Sequence, residues 1–440
     1  MKRSTLIAEA VLLMLSAGCG GTNSSPVPAP STIRAMATSE PTPSASPGVD
    51  DWTTFAHDQM RTGFEAQRTG ITPSTVSKLK LRWTYHVSGG ELASPIVANG
   101  SVYLFGTTGG LTALNTSSGQ VLWQTQIDYD ARMTPTLADG MLFAGAYDGG
   151  ENFFAVSADT GQVLWGEWLP GWVRAEPVVA NGIVYEGSSG GDLPFCSQGG
   201  VFAFDEKTGS VLWRWVVDPV PNDGGSVWAP LSWDGENLVF GTGNTCNVLQ
   251  NTGDAVVSLT SQGQLRWEWD EHGNSTLDND TGGGAMLSGG NVYVTNKNAY
   301  IYRLSEVSGA TVWRNYMGST MGYGGMGTPT TDGIVIIASA GAFDDSDTNP
   351  TPGGAIVGMR PDGSVIWTIH TKHPVYGYVA IGRGIAFAGL DNTLVALNPE
   401  TGQRLWSYTA SSVFYASPVL VPSGVYAVDT VGDAYAFSLP

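Results

Sequence analysis

Thr208-Gly209-Ser210-Val211-Leu212-Trp213 sets the reading of this chain, because Ser118-Gly119-Gln120-Val121-Leu122-Trp123 repeats its pattern. Tryptophans at 83, 123, 165, 213, 267, 313, 367 and 406 stand in equivalent contexts, most of them shortly after a glycine. Successive intervals run from 39 to 54 residues, a period that marks a propeller or a repeat array. Within one unit, Ser94-Pro95-Ile96-Val97-Ala98 leads into an Asn99-Gly100 turn. Val102-Tyr103-Leu104-Phe105, Leu111-Thr112-Ala113-Leu114 and Val121-Leu122-Trp123 follow. These are short β-branched segments between Gly/Asn turns, with no helical periodicity, and they read as strands A to D of one blade.

The repeat predicts an all-β, eight-bladed propeller of four-stranded antiparallel blades over residues 51–440. Further repeats begin near Pro135, Pro177, Pro230, Gly283, Pro329, Val379 and Pro418. The last supplies three strands, up to Ala434-Tyr435-Ala436-Phe437, and ends without a tryptophan. Leu79-Lys80-Leu81-Arg82-Trp83 has no A–B–C strands before it, so it is expected to complete the eighth blade and remove an open sheet edge. The recurring tryptophans read as packing between adjacent blades.

The N-terminus reads differently. Lys2 and Arg3 precede the apolar Leu6–Leu15 and then Ser16-Ala17-Gly18-Cys19. That is an export signal, and Cys19 after small residues resembles a lipobox cysteine that is acylated on its sulfur; an ordinary export signal is the alternative. Residues 1–19 are thus a lipoprotein-type signal and 20–50, rich in Ser, Pro and Thr, an expected disordered tether. The predicted location is outside a bacterial membrane, periplasmic or at the cell surface, with membrane contact through the N-terminal lipid alone. No later stretch is apolar enough to span a bilayer. The 39 acidic against 20 basic residues, net -19, argue against nucleic acid or an anionic lipid surface as partner.

Cys196 and Cys246 fall in B–C hairpins of neighbouring blades, and in an oxidising compartment they form either one disulfide or two buried thiols; the disulfide is the expectation. Phe343-Asp344-Asp345-Ser346-Asp347-Thr348-Asn349 is an acidic B–C insert, a cation loop or a solvated one. His370 and His373 are a possible metal pair or part of an exposed link. No Ser-His-Asp nucleophile pattern and no Cys-x-x-Cys-His haem motif is present.

Ala203-Phe204-Asp205-Glu206-Lys207-Thr208-Gly209-Ser210-Val211-Leu212-Trp213 resembles the tryptophan-docking repeat of the pyrroloquinoline quinone (PQQ) dehydrogenase superfamily. Asp51-Trp52-Thr53-Thr54-Phe55-Ala56-His57-Asp58 with Arg61-Thr62-Gly63 resembles that family's opening. The resemblance spans residues 51–440. Eight-bladed outer-membrane assembly lipoproteins share the repeat without the quinone. Phe240-Gly241-Thr242-Gly243-Asn244 is similar to the segment whose Asn ligates calcium, and Trp228 stands at the position of the cofactor floor. Leu277-Asp278-Asn279-Asp280 resembles the stretch bearing the catalytic aspartate, here Asp278. Asn296-Lys297-Asn298 is similar to the segment whose cation contacts the quinone carbonyls, and Asp192 replaces a calcium-binding glutamate.

By this resemblance Asp278 and Lys297 are catalytic, Trp228, Lys297 and Asn244 hold PQQ, and Asp192, Asn244 and Asp278 hold calcium. The blade frame agrees: Asp192, Asn244 and Lys297 lie in B–C hairpins of three successive blades, while Trp228 and Asp278 lie in D-to-A links. Both kinds of connection open on one face. The chain departs from the family in lacking adjacent cysteines, in having Gln198-Gly199 for an arginine-glycine, and in its short repeats. Two functions follow: a quinoprotein-like oxidoreductase acting on an alcohol or polyol with a separate electron acceptor, or a non-catalytic scaffold that binds an envelope protein.

Overall fold

A computed structural model describes residues 51–440 except 91–92, 128–132, 147–150, 191–196, 218–223, 246–253, 271–279, 318–326 and 342–352. Cys19, Asp192, Cys196, Cys246, Asp278 and the acidic insert at 343–349 therefore lie outside the described residues, as do the signal and the tether. Eight four-stranded antiparallel sheets form the blades, as the repeat predicts. In blade 3 the order is A (Val178–Ala180), B (Ile183–Ser188), C (Gly200–Asp205) and D (Val211–Val216). The eighth blade pairs Asp433–Ser438 with Lys80–His86, in register Lys80↔Ser438 to His86↔Asp433, so the chain ends close the ring.

Every D strand carries a one-residue bulge just before its tryptophan, as between Val211 and Trp213 opposite Ala203 and Phe204. The bulge turns the preceding residue outward, which explains the half-exposed Leu122, Leu164 and Leu212. The indole meanwhile reaches across to the next blade. Trp165 Nε1 donates to the Glu206 carbonyl at 3.0 Å and Trp213 Nε1 to that of Ser261 at 3.0 Å. Trp83 does the same with Thr116 and Trp367 with Pro399. Each of these rings lies on the glycine of the neighbour's C–D turn: a Cβ on Gly209 would meet Trp165 at 2.8 Å. Trp406 is different. The blade it faces has no C–D turn, since that connection joins the two chain ends, and Trp406 packs edge-on against Phe437 with centroids 5.2 Å apart.

Around the axis, residues two before each A strand form a second set of links. Ser417 N donates to Ser94 Oγ (2.9 Å), Ser94 N to Thr134 Oγ1 (3.0 Å) and Thr134 N to Glu176 Oε1 (3.4 Å). Gly284 N donates to Thr328 Oγ1 and Tyr378 N to Ser417 Oγ. Five blade junctions are thus tied by a backbone donor and a polar side chain of the next blade.

The segment from Trp52 to Glu65 winds around the axis along the inner edge of the A strands. Its backbone bonds Val97, Leu137, Trp233, Leu287, Thr331 and Ile381 in turn, one residue from each of six blades. The Gln59 side chain reaches the Val179 carbonyl of blade 3. Arg61 is fully buried inside this coil. Its guanidinium donates to the carbonyls of Leu231, Phe55, Glu176 and Pro177 and to Thr54 Oγ1. Ala56, His57 and Arg61 adopt left-handed φ of 51°, 75° and 60°, a strain the surrounding bonds hold in place. Glu176 lies beside Arg61; burial raises its pKa to about 7 against the opposing pull of the guanidinium.

Two outcomes test this account. Gly182 and Gly209 share φ near 70° (76° and 71°), but only Gly209 has an indole against it. Gly182→Ala should cost about 1 kcal/mol for the left-handed backbone alone, whereas Gly209→Ala should cost about 3 kcal/mol by denaturant titration. Because Glu176 binds its proton more tightly when folded, stability should fall as pH rises from about 4.5 to about 7. Glu176→Gln should flatten that slope by roughly 3 kcal/mol across the window, read as melting temperature against pH.

Candidate functional site

Above blades 3 to 5 the connections knit into a ribbon that crosses blade boundaries. Trp172 bridges Ser189, and Ser189 bridges Ser226. Gly224–Ser226 then pairs with Gly243–Thr245 as a small two-stranded sheet outside the blades. The ribbon continues as Thr281 N bonds the Thr242 carbonyl (3.2 Å) and Lys297 N the Asp280 carbonyl (3.1 Å). D-to-A links and B–C hairpins therefore meet on one face, where the blade frame puts them.

This ribbon brings Trp228 and Lys297 together. The half-buried Trp228 ring rests on glycines: a Cβ on Gly282 would lie 1.9 Å from Cη2, and one on Gly243 would lie 2.6 Å from Nε1. Those two positions must be glycine for the ring to lie flat there. Among the described residues Trp228 Nε1 is buried with no hydrogen-bond partner, and contact with the two glycines positions the indole. Lys297 Nζ lies 5.8 Å from the ring centroid, within cation–π reach. The same ammonium pairs with Asp280 Oδ2 at 2.6 Å. Asp280 and the neighbouring Asn296 are almost fully buried. A charge-assisted pair in so dry a place fixes both side chains.

The acidic partner of Lys297 is Asp280, two residues beyond the aspartate singled out from the sequence. The backbone of Asn244 lies in the Gly243–Thr245 strand beside Trp228. Among the described residues no cluster of three or more His, Cys, Asp or Glu is arranged for a metal. His370 and His373 are both exposed, and His373 Nδ1 is bonded to Asp391 at 3.0 Å. Beneath the site, Gly187 packs against Val227, the residue before Trp228. Its neighbour Glu186 is fully buried, and burial holds that carboxyl well above its usual range. Sequence reasoning missed Asp280 as the partner of Lys297, although it lies in the stretch quoted. The bed under Trp228 is written in the sequence only as the glycines at 243 and 282.

A flat aromatic floor, a cation at its edge and a buried carboxylate suit a planar, electron-rich ligand with oxygen atoms on its rim. The family model described as outer membrane protein assembly factor BamB matches residues 130–300 and 352–439, together more than half the chain. That of the glucose/ethanol/alcohol dehydrogenase β-propeller domain matches residues 52–137. Polyvinylalcohol dehydrogenase of Sphingopyxis sp. (strain 113P3) is 23% identical over 480 residues, covering 91% of this chain and 71% of that protein. Quinohemoprotein alcohol dehydrogenase from Comamonas testosteroni superposes with a TM-score of 0.76 at 18% identity, over 88% of this chain and 80% of that one. BamB from Moraxella catarrhalis gives 0.59 at 14% identity, over 82% and 97%. These likenesses establish the propeller as shared by both kinds of protein.

Gly282→Ala should displace Trp228 and cost about 2 kcal/mol. In a Trp228→Ala background the same change should cost less than half as much, a coupling that denaturant titration of the four proteins measures.

Proposed function

The chain belongs to the β-propeller family described by the outer membrane protein assembly factor BamB model, and from that footing we propose that it is an exported quinoprotein-like oxidoreductase acting on an alcohol or polyol. The observation that carries the proposal is the Trp228 ring laid on Gly243 and Gly282 with the Lys297–Asp280 pair at its edge. A packing tryptophan needs no buried ion pair beside it, because burying two charges brings little net stability.

The described residues fit a planar quinone. Trp228 offers the stacking floor and Lys297 the cation for its oxygen atoms, so these two would hold PQQ, with Asn244 alongside. Asp192, Asn244 and Asp278, by the resemblance, would supply the hard oxygen ligands that calcium takes. When bound, the quinone supplies the two-electron acceptor that side chains lack. The protein's part is to orient and to move a proton. Asp278 takes the hydroxyl proton of the substrate. Asp280 holds the Lys297 ammonium in place, and Lys297 would balance negative charge on the acceptor side. With no haem-attachment motif in the sequence, a separate partner would serve as electron acceptor. Export and attachment through Cys19 would set this chemistry outside the membrane.

The alternative, a scaffold that binds an envelope protein, draws its support from the assembly-factor model and the BamB likeness. Titration of the protein with PQQ and calcium separates the two. The oxidoreductase reading expects a shifted quinone spectrum, a higher melting temperature and alcohol-dependent dye reduction. Trp228→Ala should weaken quinone binding at least tenfold, and Asn244→Ala should abolish dye reduction. A wild-type protein that leaves the quinone spectrum and the melting temperature unchanged would transfer the assignment to the scaffold.

A further inference from the structure

Strand B of blade 3 carries a carboxyl where the repeat carries a hydrocarbon. Glu186 pairs with Phe202, the residue before the partner of Trp213. At the same register stand Leu104 in blade 1, Phe240 in blade 4 and Val294 in blade 5. Blades 2, 6, 7 and 8 have alanine there. All of these side chains are buried, and so is Glu186. Among the described residues its Oε2 has no hydrogen-bond partner. An apolar side chain would serve the core better, so the reason for a carboxyl lies with its other oxygen. Oε1 accepts from Gly187 N at 2.9 Å. Strand A begins at Val178, opposite Tyr185, and carrying that register back would set Glu176 opposite Gly187. The Glu176 carbonyl is already taken by Leu231 N and Arg61 Nη2, both at 3.2 Å. Without Glu186, a buried N–H would be left unpaired. Blade 2 meets the same need differently: Gly145 N there is bonded to Met133 Sδ at 2.9 Å.

We propose that Glu186 is a positioning residue for the Trp228 floor, acting through Gly187 and Ser188 on Val227. The proposal rests on the reading of Trp228 as the seat of a flat ligand. Gly187 and Ser188 hold Val227 by contact and by a bond. A Cβ on Gly187 would lie 2.7 Å from the Val227 carbonyl oxygen and 2.8 Å from its Cγ1. Val227 N donates to the Ser188 carbonyl at 2.9 Å, and Trp228 is the next residue. A shift of the strand end at Gly187 therefore moves the floor. The charged groups that act on Glu186 are Glu176 and Arg61. Burial, with Glu176 adding to it, raises its pKa well above the carboxylate range against the pull of Gly187 N–H and Arg61. The side chain is thus a neutral acid, and glutamine, which offers the same acceptor on the same stem, is its close substitute.

The test reads amide hydrogen exchange at Val227 in the full-length protein without quinone, and then PQQ affinity. Glu186→Leu installs the blade 1 residue. It strands Gly187 N–H but also removes the unpartnered Oε2, two effects that offset, so the melting temperature should stay within about 3 °C of wild type. The Val227 amide should nevertheless exchange about tenfold faster, while Gly200–Asp205 in the same blade exchanges as before. Glu186→Gln, which keeps the acceptor, should restore the wild-type rate. PQQ affinity should fall about tenfold in Glu186→Leu and return in Glu186→Gln. A Val227 amide that exchanges at the wild-type rate in Glu186→Leu overturns the positioning role. So does loosening shared equally by Gly200–Asp205, or a Glu186→Gln protein that behaves like Glu186→Leu. Exchange that follows the expected pattern beside a wild type that takes up no PQQ leaves Glu186 as the support of Val227 and sinks the reading of Trp228 as a quinone floor.

Discussion

An indole lying on a glycine and donating to a carbonyl of the next blade is the contact on which the ring depends. Each bond contributes about 1 kcal/mol net, a modest term that recurs around the molecule. Its larger effect is geometric. A bulge of one residue aims the ring sideways, and the left-handed turn glycine leaves room for it. The spacing between blades is thereby fixed by the thickness of an indole. A repeat with any side chain at Gly161 or Gly263 would splay its blade from the neighbour, and the last strands would no longer meet Lys80–His86 in register. Closure is a consequence of the same small angle repeated.

The axis is held by different means. Glycine and tryptophan set the outer spacing, while hydroxyl groups of Ser94, Thr134, Thr328 and Ser417 join the inner ends of the blades. Inside them the Trp52–Glu65 segment supplies a hydrogen-bonding edge for A strands that would otherwise face an open channel with unpaired groups. Filling the channel with backbone and with Arg61 satisfies polar groups that an apolar plug would strand. The cost is a buried charge. Arg61 bears it by spending its donors on carbonyls and a threonine, with Glu176 close by.

Much of the fold was legible because its determinants are local and periodic. The Gly-to-Trp spacing, the Asn-Gly turns and the unpaired strand at each chain end announce blades and their closure without any long-range information. The axial coil was not legible. Nothing in Ala56-His57-Asp58 signals three left-handed residues within six positions, since φ there is imposed by six blades at once. The site was legible in its segments and less so in its atoms. Two aspartates stand two apart in Leu277-Asp278-Asn279-Asp280, and only the folded chain tells that Asp280 is the one beside Lys297. Period-two logic would have put both on the same side, so the sequence offered no way to rank them.

The places where the repeat is broken coincide with the candidate site, and physics gives a reason. At the inner girdle, blade 4 has Ala229 and blade 5 has Gly284 where blades 1, 2, 6 and 8 carry Ser or Thr and blade 3 a glutamate, so neither side chain can accept the bond from its neighbour. Around that gap the chain substitutes other restraints. Arg61 Nε bonds the Leu231 carbonyl, Leu231 N bonds the Glu176 carbonyl, and Ser232 Oγ bonds the Ala285 carbonyl. Gly282 beside this gap is the bed of Trp228. A threonine at 282 would complete the local propensity for strand and destroy the flat seat. Local rules yield here to a ring that must lie against backbone, which is the pattern expected where a scaffold has been shaped around a ligand. The ribbon from Trp172 to Lys297 then recovers, across the top of the blades, the rigidity that the missing hydroxyls give up below.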